Sequence, residues 1–380
     1  LVFPLLRDNW LIKQTLYKYE ASLDFALDFI NAKLIGHRFE LNGDVDIITA
    51  DGEYIELNYE GFILEFSIDV IRHSLMRFRN NYAARRLRAY FSHLGEISYG
   101  FETAAQLLSY QHQRLEAFEL EKKITPLLEQ SVLILPVAYR GHAIAFVRVG
   151  RFWAKIDRGE NSLKEGTVNV YYMDDVSACS VTFIKQLMFQ KQSENYVHKK
   201  INNALKLKPL FTLPLSAQVT GNCSWANVEA IVPTALFMLQ LEDSTTFVRE
   251  NIEAAMINAF DFYQRWLTWD KDRTLDECIQ SFKESQPQRQ ASKAAILGAI
   301  LFQTCNFGNE IHIKRAEKII KILMLPEFHY VLRSYLEAYC VHQLTPRGNN
   351  LLKFLEDCGI DSDIGIQSIA TSVKDKKSPT

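Results

Sequence analysis

Apolar and polar residues alternate with different periods along the chain, and each period predicts a type of secondary structure. Residues 9–32 carry apolar side chains at helical intervals, which predicts a helix that stops near Gly36. Two short runs, 45–49 and 54–58, have a strand-like pattern and lie on either side of Asp51-Gly52. Because an Asp-Gly pair between two such runs is typical of a tight turn, we predict a β-hairpin here.

The middle of the chain changes character. Residues 66–123 return to a helical pattern, and interruptions are expected near Gly95 and Gly100. Runs dense in β-branched and aliphatic residues then predict three or four strands of one sheet. These strands are expected at 132–139, 143–149, 152–157 and 168–173.

Helical patterns resume near Ser180 and dominate the chain from Cys223 to about residue 358. An N-cap is expected at Ser244-Thr245, and Pro326 and Pro346 mark later breaks. The last of these helices is expected to end at residue 359, because glycine favours the conformation that terminates a helix.

Length and composition are those of an ordinary folded protein: 380 residues, 48% apolar and 23% charged. The formal net charge of -2 gives no general attraction to nucleic acid or to an anionic membrane. The apolar runs are too short to span a membrane. The strongest local exception is a basic stripe formed by Arg72, Arg77, Arg79, Arg85, Arg86 and Arg88. Because helical spacing spreads these arginines around a helix, a solvated face explains them better than a phosphate site.

The six cysteines are widely scattered and include no CxxC pair, which argues against a zinc ribbon or a disulfide scaffold. The chain also lacks a Walker-type loop and the HExxH, GxSxG and kinase signatures, so we expect no metal and no cofactor. Five cysteines lie in apolar surroundings and are interpreted as buried free thiols, which favours a reducing compartment. No secretory signal peptide is recognised, and whether a segment precedes Leu1 stays open.

Cys223 differs from the other five cysteines. It follows a polar turn, Gly221-Asn222, and opens an apolar helical pattern. A thiol at the start of a helix faces the positive end of the helix dipole and unpaired backbone N–H groups, and both favour the thiolate. The same N–H groups can stabilise an oxyanion, and the side chain of Gln218 can add a further donor. We therefore interpret Cys223 as a nucleophile rather than as a buried structural thiol.

A cysteine nucleophile needs a base, and His142 stands where a predicted strand begins. The pair Gly150-Arg151 predicts a two-residue turn between this strand and the next. If Val149 then faces Phe152, Asp157 is a diagonal neighbour of His142 on the same face of the sheet. A carboxylate in that place can hold the imidazole in one tautomer.

An alternative acid stays open at this point. Asp157 precedes Arg158-Gly159 and, taken alone, is also explained as a turn residue. Asp174 and Asp175 end the next predicted strand and are the runner-up orienting acids. The combination with His142 and Cys223 favours Asp157.

The order of these residues resembles the Ulp/adenain-type cysteine proteases, which have a papain-like site in permuted order. Segments 141–146, 154–160 and 221–227 are more specifically similar to the cysteine protease-like domain of Legionella-type secreted (Dot/Icm) effectors, some of which carry ankyrin repeats. The resemblance covers roughly residues 133–241. It implies that Cys223 is the nucleophile, His142 the base, Asp157 the orienting acid and Gln218 the oxyanion partner. In the Ulp-type pattern Trp follows the base and Gly follows the nucleophile, whereas this chain has Ala and Ser.

The expected fold class is α+β: a small, mainly antiparallel sheet with a papain-like/Ulp-like cysteine protease core, flanked by large helical regions. The expected division is a mostly helical region, a cysteine protease-like domain, a second helical region and a disordered tail. Their boundaries are 1–125, 126–270, 271–372 and 373–380.

The function implied is thiolate acyl transfer on a protein substrate, by peptide or isopeptide hydrolysis, including that of ubiquitin-like conjugates. The resemblance also implies type IV secretion by a bacterium into the host cytoplasm, where the substrate would be a host protein. A deamidase or an acyltransferase with the same triad stays open. The other alternative is a non-catalytic scaffold that binds a host protein through a protease-like fold.

Overall fold

The computed structural model describes residues 23–48, 54–61, 63–113, 115–159, 162–219, 221–244, 248–341 and 344–360. The helices in these ranges are α1 (Leu23–Phe39), α2 (Leu64–Arg79), α3 (Phe91–His112), α4 (Ala117–Ile124), α5 (Ser162–Glu165), α6 (Val181–Phe189), α7 (Ile201–Ala204), α8 (Cys223–Glu229), α9 (Ile231–Glu242), α10 (Arg249–Glu284), α11 (Pro287–Thr304), α12 (Glu310–Leu323), α13 (His329–Leu336) and α14 (Pro346–Asp357). The strands are β1 (Asp44–Ile48), β2 (Tyr54–Asn58), β3 (Val132–Tyr139), β4 (His142–Val149), β5 (Phe152–Ile156), β6 (Val168–Met173) and β7 (Leu207–Leu213).

The chain forms two compact units. The central unit is Glu60–Lys271, and the terminal unit combines Leu1–Tyr59 with Asp272–Thr380. The predicted four-part division of the chain stays a prediction.

The central unit is built on one five-stranded sheet in the order β3-β4-β5-β6-β7, with every neighbouring pair antiparallel. Nearly all residues of β3, β4 and β5 are buried, because helices pack against this part of the sheet. Helices α8 and α9 pack on β4, and α3 packs on β3. The predicted α+β fold with a small antiparallel sheet is confirmed.

Strand β7 is a correction to the predicted sheet, which had three or four strands and helices resuming near Ser180. The sequence of β7 includes Lys208, Pro209 and Thr212, so it lacks the dense apolar character of the other strands. It lies at the edge of the sheet, where Pro209 is tolerated since one side of an edge strand needs no ladder hydrogen bonds. A register shift between Val170 and Tyr171 accommodates the irregularity.

The terminal unit contains the predicted hairpin, in which Val45 pairs with Leu57 and Ile47 with Ile55. Its turn, Asp51-Gly52, lies outside the described residues. The apolar core of this unit brings α1 and the hairpin together with the last part of α10 and with α11 to α14.

The helix interruptions predicted at Gly36, Gly95 and Gly100 are wrong, and at Gly36 and Gly100 the glycine permits close packing rather than a break. Helix α1 continues through Gly36 to Phe39, and a Cβ at Gly36 would collide with the ring of Tyr59. Residues 9–22 of that predicted helix lie outside the described residues. Helix α3 runs without a break through Gly95 and Gly100.

The other predicted ends and breaks are partly confirmed. Helix α14 begins at Pro346 and ends before Gly359, whose φ is +69°. Pro326 begins a 3₁₀ turn between α12 and α13. The Ser244 hydroxyl donates to the carbonyl of Gln240 at the end of α9 instead of capping α10. Thr245 and the tail predicted to be disordered lie outside the described residues.

The basic stripe follows the end of α2 and a 3₁₀ segment, Tyr82–Tyr90. Arg77, Arg85, Arg86 and Arg88 are exposed, as expected for a solvated face. None of the helices in the described ranges is both long and apolar enough to cross a membrane.

Two glycines of α3 give matched tests of this packing. A Cβ at Gly100 would lie 3.0 Å from the carbonyl oxygen of Val132 and 3.1 Å from the side chain of Ile134, whereas a Cβ at Gly95 would meet nothing within 4 Å. We expect Gly100→Val to lower the free energy of unfolding by about 1–3 kcal/mol through overpacking. Gly95→Ala should raise it by about 0.5–1 kcal/mol, since alanine is the better helix former. Urea unfolding measures both values, and equal effects at the two sites would contradict close packing of α3 on β3.

Candidate active site

A tight turn places His142 at one end of the central sheet. Tyr139 pairs with His142 across the turn Arg140-Gly141, and the φ angles of the two turn residues are +47° and +80°. Positive φ at both positions defines a type I′ turn, whose twist matches that of the flanking strands. His142 is therefore the first residue of β4, and its side chain is one-quarter exposed.

The next hairpin brings Asp157 to the same end of the sheet. Val149 pairs with Phe152 and Ala145 with Ile156, so the predicted register is confirmed. Asp157 follows β5, and its Oδ1 lies 2.9 Å from Nε2 of His142. The backbone N–H of Gly159 donates to the same oxygen at 3.0 Å. Because the Asp157 side chain is only 2% exposed, these contacts hold a buried carboxylate.

Helix α8 brings Cys223 to this end of β4. The backbone N–H of Ala143 donates to the Cys223 sulfur at 3.4 Å, and His142 is a side-chain hydrogen-bond partner of the same sulfur. Since Nε2 of His142 faces Asp157, Nδ1 is the ring nitrogen left for the thiol. The three predicted residues thus lie together in the order thiol, imidazole and carboxylate.

The electrostatics of the group favour an ion pair between thiolate and imidazolium. Hydrogen bonds to Asp157 and to Cys223 raise the pKa of His142 to about 9. Burial acts to raise the pKa of Cys223, but the bonds to His142 and to the Ala143 N–H outweigh it and the pKa lies below its usual value. Burial likewise opposes ionisation of Asp157, and the His142 bond outweighs it, so the pKa of Asp157 is lowered.

The other five thiols behave in the opposite way. Burial raises the pKa of Cys179 to about 11, of Cys278 to about 12 and of Cys305 to about 11. It also raises the pKa of Cys340 and of Cys358. Cys223 is therefore the one cysteine of the six with a lowered pKa, which makes selective chemistry at this thiol possible.

Gln218 lies beside the group. Its backbone N–H donates to the carbonyl of Arg158 at 2.8 Å, and its side-chain oxygen accepts from Nδ2 of Asn227 at 3.4 Å. With that oxygen turned toward Asn227, the amide nitrogen is the end of the side chain that can donate elsewhere. A role of Gln218 toward an oxyanion stays a prediction.

The runner-up acids are not brought to this site. Asp174 follows β6 beyond the Phe152 end of the sheet, away from His142, and its carboxylate pairs with Lys208 at 2.6 Å. The carboxylate of Asp175 accepts from the backbone N–H of Ser177 and caps a short 3₁₀ turn. Both acids have structural roles in the described chain. No group of three or more His, Cys, Asp or Glu side chains in the described ranges is arranged to hold a metal ion.

Asn227 is a residue of the site that the sequence pattern did not identify. Its Nδ2 donates to the carbonyl of Ala143 at 2.7 Å, and its Oδ1 accepts from the backbone N–H of Arg158 at 2.8 Å. Asn227 is 1% exposed and lies one helical turn after Cys223. The Asn227 amide therefore connects α8, which carries Cys223, to β4, which carries His142, and to the loop that carries Asp157.

Arg158 strengthens the same loop. This buried guanidinium donates to the backbone carbonyls of Ser216 at 2.7 Å and of Ala226 at 3.2 Å. The first of these bonds ties the residue after Asp157 to the segment that leads to Gln218. In the sequence, Asn227 stands out only as a polar residue within an apolar stretch, and Arg158 is one of several polar residues after β5. Neither residue could be identified as part of the site before its contacts were known.

The fold and the grouped side chains define an α+β protein with a candidate thiol–imidazole–carboxylate site. The solved structure of the Legionella effector AnkH is similar to this chain, with a TM-score of 0.82 and 53% sequence identity, over 96% of this chain and 76% of that chain. At this identity and coverage the chain belongs to the family of the Legionella effector AnkH. The predicted resemblance to Legionella effectors is confirmed. No protein-family model and no curated protein matches the chain.

The Asn227 amide can be tested by an apolar replacement of similar size. Asn227→Leu leaves the carbonyl of Ala143 and the N–H of Arg158 buried without their partner, so we expect the free energy of unfolding to fall by about 2–4 kcal/mol. The matched control is Asn203→Leu at an exposed helical position, with an expected change within about 0.5 kcal/mol. Chemical denaturation measures both, and a loss no larger at Asn227 than at Asn203 would refute its structural role.

Gly159 supports the imidazole directly. A Cβ at this position would lie 2.6 Å from Cε1 of His142, and the backbone of Gly159 does not have a positive φ. Gly159→Ala should therefore fold normally yet displace the ring from Cys223, and the alkylation rate of Cys223 at about pH 6.5 should fall at least about tenfold. Gly95→Ala is the control for the added methyl group. An unchanged rate in the Gly159 variant would contradict the contact with His142.

Proposed function

We propose that this chain is a cysteine-dependent acyl-transfer enzyme of the papain-like/Ulp type that acts on a protein substrate. The observation that carries the proposal is the contact of Cys223 with His142, which is itself bonded to the buried carboxylate of Asp157. A thiol with a lowered pKa beside an imidazole with a raised pKa is the arrangement that nucleophilic catalysis by cysteine requires.

The reaction begins with attack of the Cys223 thiolate on the carbonyl carbon of a peptide or isopeptide bond. The new C–S bond gives a tetrahedral oxyanion, for which the N–H of Cys223 and the side-chain amide of Gln218 are the proposed donors. His142 then gives its proton to the leaving amine as the C–N bond breaks, and a thioester remains. Water, deprotonated by His142, releases the acid and restores the thiol.

Asp157 stays ionised through these steps. Its lowered pKa follows from the His142 contact, and its negative charge stabilises the imidazolium that pairs with the thiolate. Because the carboxylate is buried, water competes little for it, and the bond keeps the ring of His142 oriented.

The family relation supports a proposal about the compartment in which the enzyme works. As a relative of a Legionella effector, the chain is proposed to be secreted by a type IV system into the host cytoplasm and to act there on a host protein. All six cysteines are free thiols, which agrees with a reducing compartment. Ubiquitin-like conjugates are one substrate class of this proposal. A deamidase or an acyltransferase would use the same three side chains, with ammonia as the leaving group or an amine as the acceptor.

A second candidate function is a non-catalytic scaffold that binds a host protein. It is favoured by a feature of the terminal unit, which has its own apolar core and a cavity of about 470 Å³. Asp44, Asp46, Tyr330 and Tyr335 are among the residues that line this cavity. A binding role of that unit is compatible with catalysis in the central unit.

The pH dependence of Cys223 alkylation by iodoacetamide tests the enzyme proposal. In the wild type the rate should rise at a pH well below the ordinary thiol pKa of about 8.5, because the pKa of Cys223 is lowered. In His142→Ala the main bond that lowers this pKa is gone while burial remains, so the rise should move to about pH 8.5 or above. Mass spectrometry of tryptic peptides reads all six thiols at once, and Cys358, exposed and with a raised pKa, is the internal control.

Slow labelling of Cys223 that ignores the histidine would overturn the proposal and favour the scaffold. If labelling is fast, incubation with peptide and ubiquitin-like substrates followed by intact mass analysis should trap a thioester on Cys223. The product then identifies the reaction: a free amine for hydrolysis, ammonia for deamidation, or a transferred acyl group. Cys223→Ala is the matched inactive variant.

A further inference from the structure

A second buried histidine lies behind Asp157, on the side away from His142. Nε2 of His198 is 3.6 Å from Oδ2 of Asp157, and the His198 side chain is 5% exposed. Oδ2 of Asp157 makes no direct hydrogen bond among the described residues, and Nε2 of His198 faces it. The carboxylate of Asp157 therefore has one imidazole on each oxygen.

Tyr139 lies between the two imidazoles. Its hydroxyl is 2.7 Å from Nε2 of His198, and its ring makes edge contacts with His142 and with His198 at centroid distances of 5.6 and 5.9 Å. These contacts fix the plane of both rings. Nε2 of His198 is consequently aimed at the Tyr139 oxygen and at Oδ2 of Asp157 together.

The opposite nitrogen of His198 faces a lysine. Nζ of Lys155 lies 3.3 Å from Nδ1 of His198, and the Lys155 side chain is 2% exposed and paired with the carboxylate of Glu165. The carboxylate of Glu165 lies 3.4 Å from the same nitrogen, so Nδ1 has a donor and an acceptor beside it. Lys155 and Glu165 thus hold one side of the ring, and the other nitrogen, Nε2, faces Asp157.

We propose that His198 is a positioning residue of the active site, held by Lys155, Glu165 and Tyr139 so that its Nε2 faces Oδ2 of Asp157. The inference rests on the proposed function and adds a second layer to it. The resulting order is Lys155, His198, Asp157, His142 and Cys223. With Oδ2 directed toward His198, Oδ1 is directed toward His142, which fixes the carboxylate against rotation.

The groups that face His198 include Tyr139 from β3, Lys155 from β5, Asp157 after β5 and Glu165 from α5. Lys155 and Glu165 form an ion pair, so each compensates the charge of the other. Burial opposes ionisation of Asp157, and the nearby His198 is among the groups that lower its pKa.

The pH profile of Cys223 alkylation tests the consequence for the site. In His198→Phe the pKa of Asp157 should rise, so the carboxylate is neutralised at a higher pH and no longer supports the imidazolium. The alkylation rate at about pH 6 should fall about tenfold and should change little at about pH 9.5. His198→Gln, which retains a donor, should keep most of the wild-type rate at low pH. The control is His112→Gln, an exposed histidine whose side chain is 72% exposed.

The two proposals fail in different ways. Slow labelling of wild-type Cys223 at every low pH value would contradict the proposed enzymatic function. A fast wild-type thiol whose pH profile is the same in His198→Phe would overturn the positioning role alone. Circular dichroism and unfolding of the same variants exclude misfolding as the cause, and if His198→Phe does not fold, His198→Leu takes its place in the alkylation comparison.

Discussion

The site depends on one interaction, the docking of α8 against the beginning of β4 through the amide of Asn227. That amide uses both of its ends, one on the carbonyl of Ala143 and one on the N–H of Arg158. Because these backbone groups adjoin His142 and Asp157, the position of each catalytic candidate is fixed by a neighbour in the chain. A buried amide that satisfies two buried backbone groups also stabilises the fold, so the geometry of the site and the stability of the unit share a cause.

Burial gives the same group its electrostatic character. Asp157, Lys155 and His198 lie in a poorly hydrated part of the sheet, and each has at least one partner of complementary chemistry. An unpaired charge in that place would be strongly unfavourable. Hydrogen bonds to Asp157 and to Cys223 favour the proton on His142 and outweigh burial, which by itself disfavours it. The contrast between Cys223 and the other five thiols follows from partners rather than from burial alone, because burial acts in the same direction on all six.

Some of this site could be predicted from the sequence because its signals are local. The turn at Gly150-Arg151 fixes the register between β4 and β5, and the register alone places Asp157 beside His142. The polar turn before Cys223 marks the start of a helix in the same way. His198 and Asn227 gave no comparable signal, since each acts through residues far away in the chain. Strand β7 was missed for a further reason: Lys208 and Pro209 are acceptable at the edge of a sheet, which a linear pattern does not reveal.

The contact between the Ala143 N–H and the Cys223 sulfur joins residues 80 positions apart. Loops of that length close slowly, and contacts between distant segments form late in folding. The thiol is therefore an ordinary one while the chain is being made, and it becomes reactive only when β4 and α8 have met. Premature alkylation or disulfide exchange at this cysteine is restrained by the topology itself. For the same reason, the alkylation rate of Cys223 reports when folding of the central unit is complete.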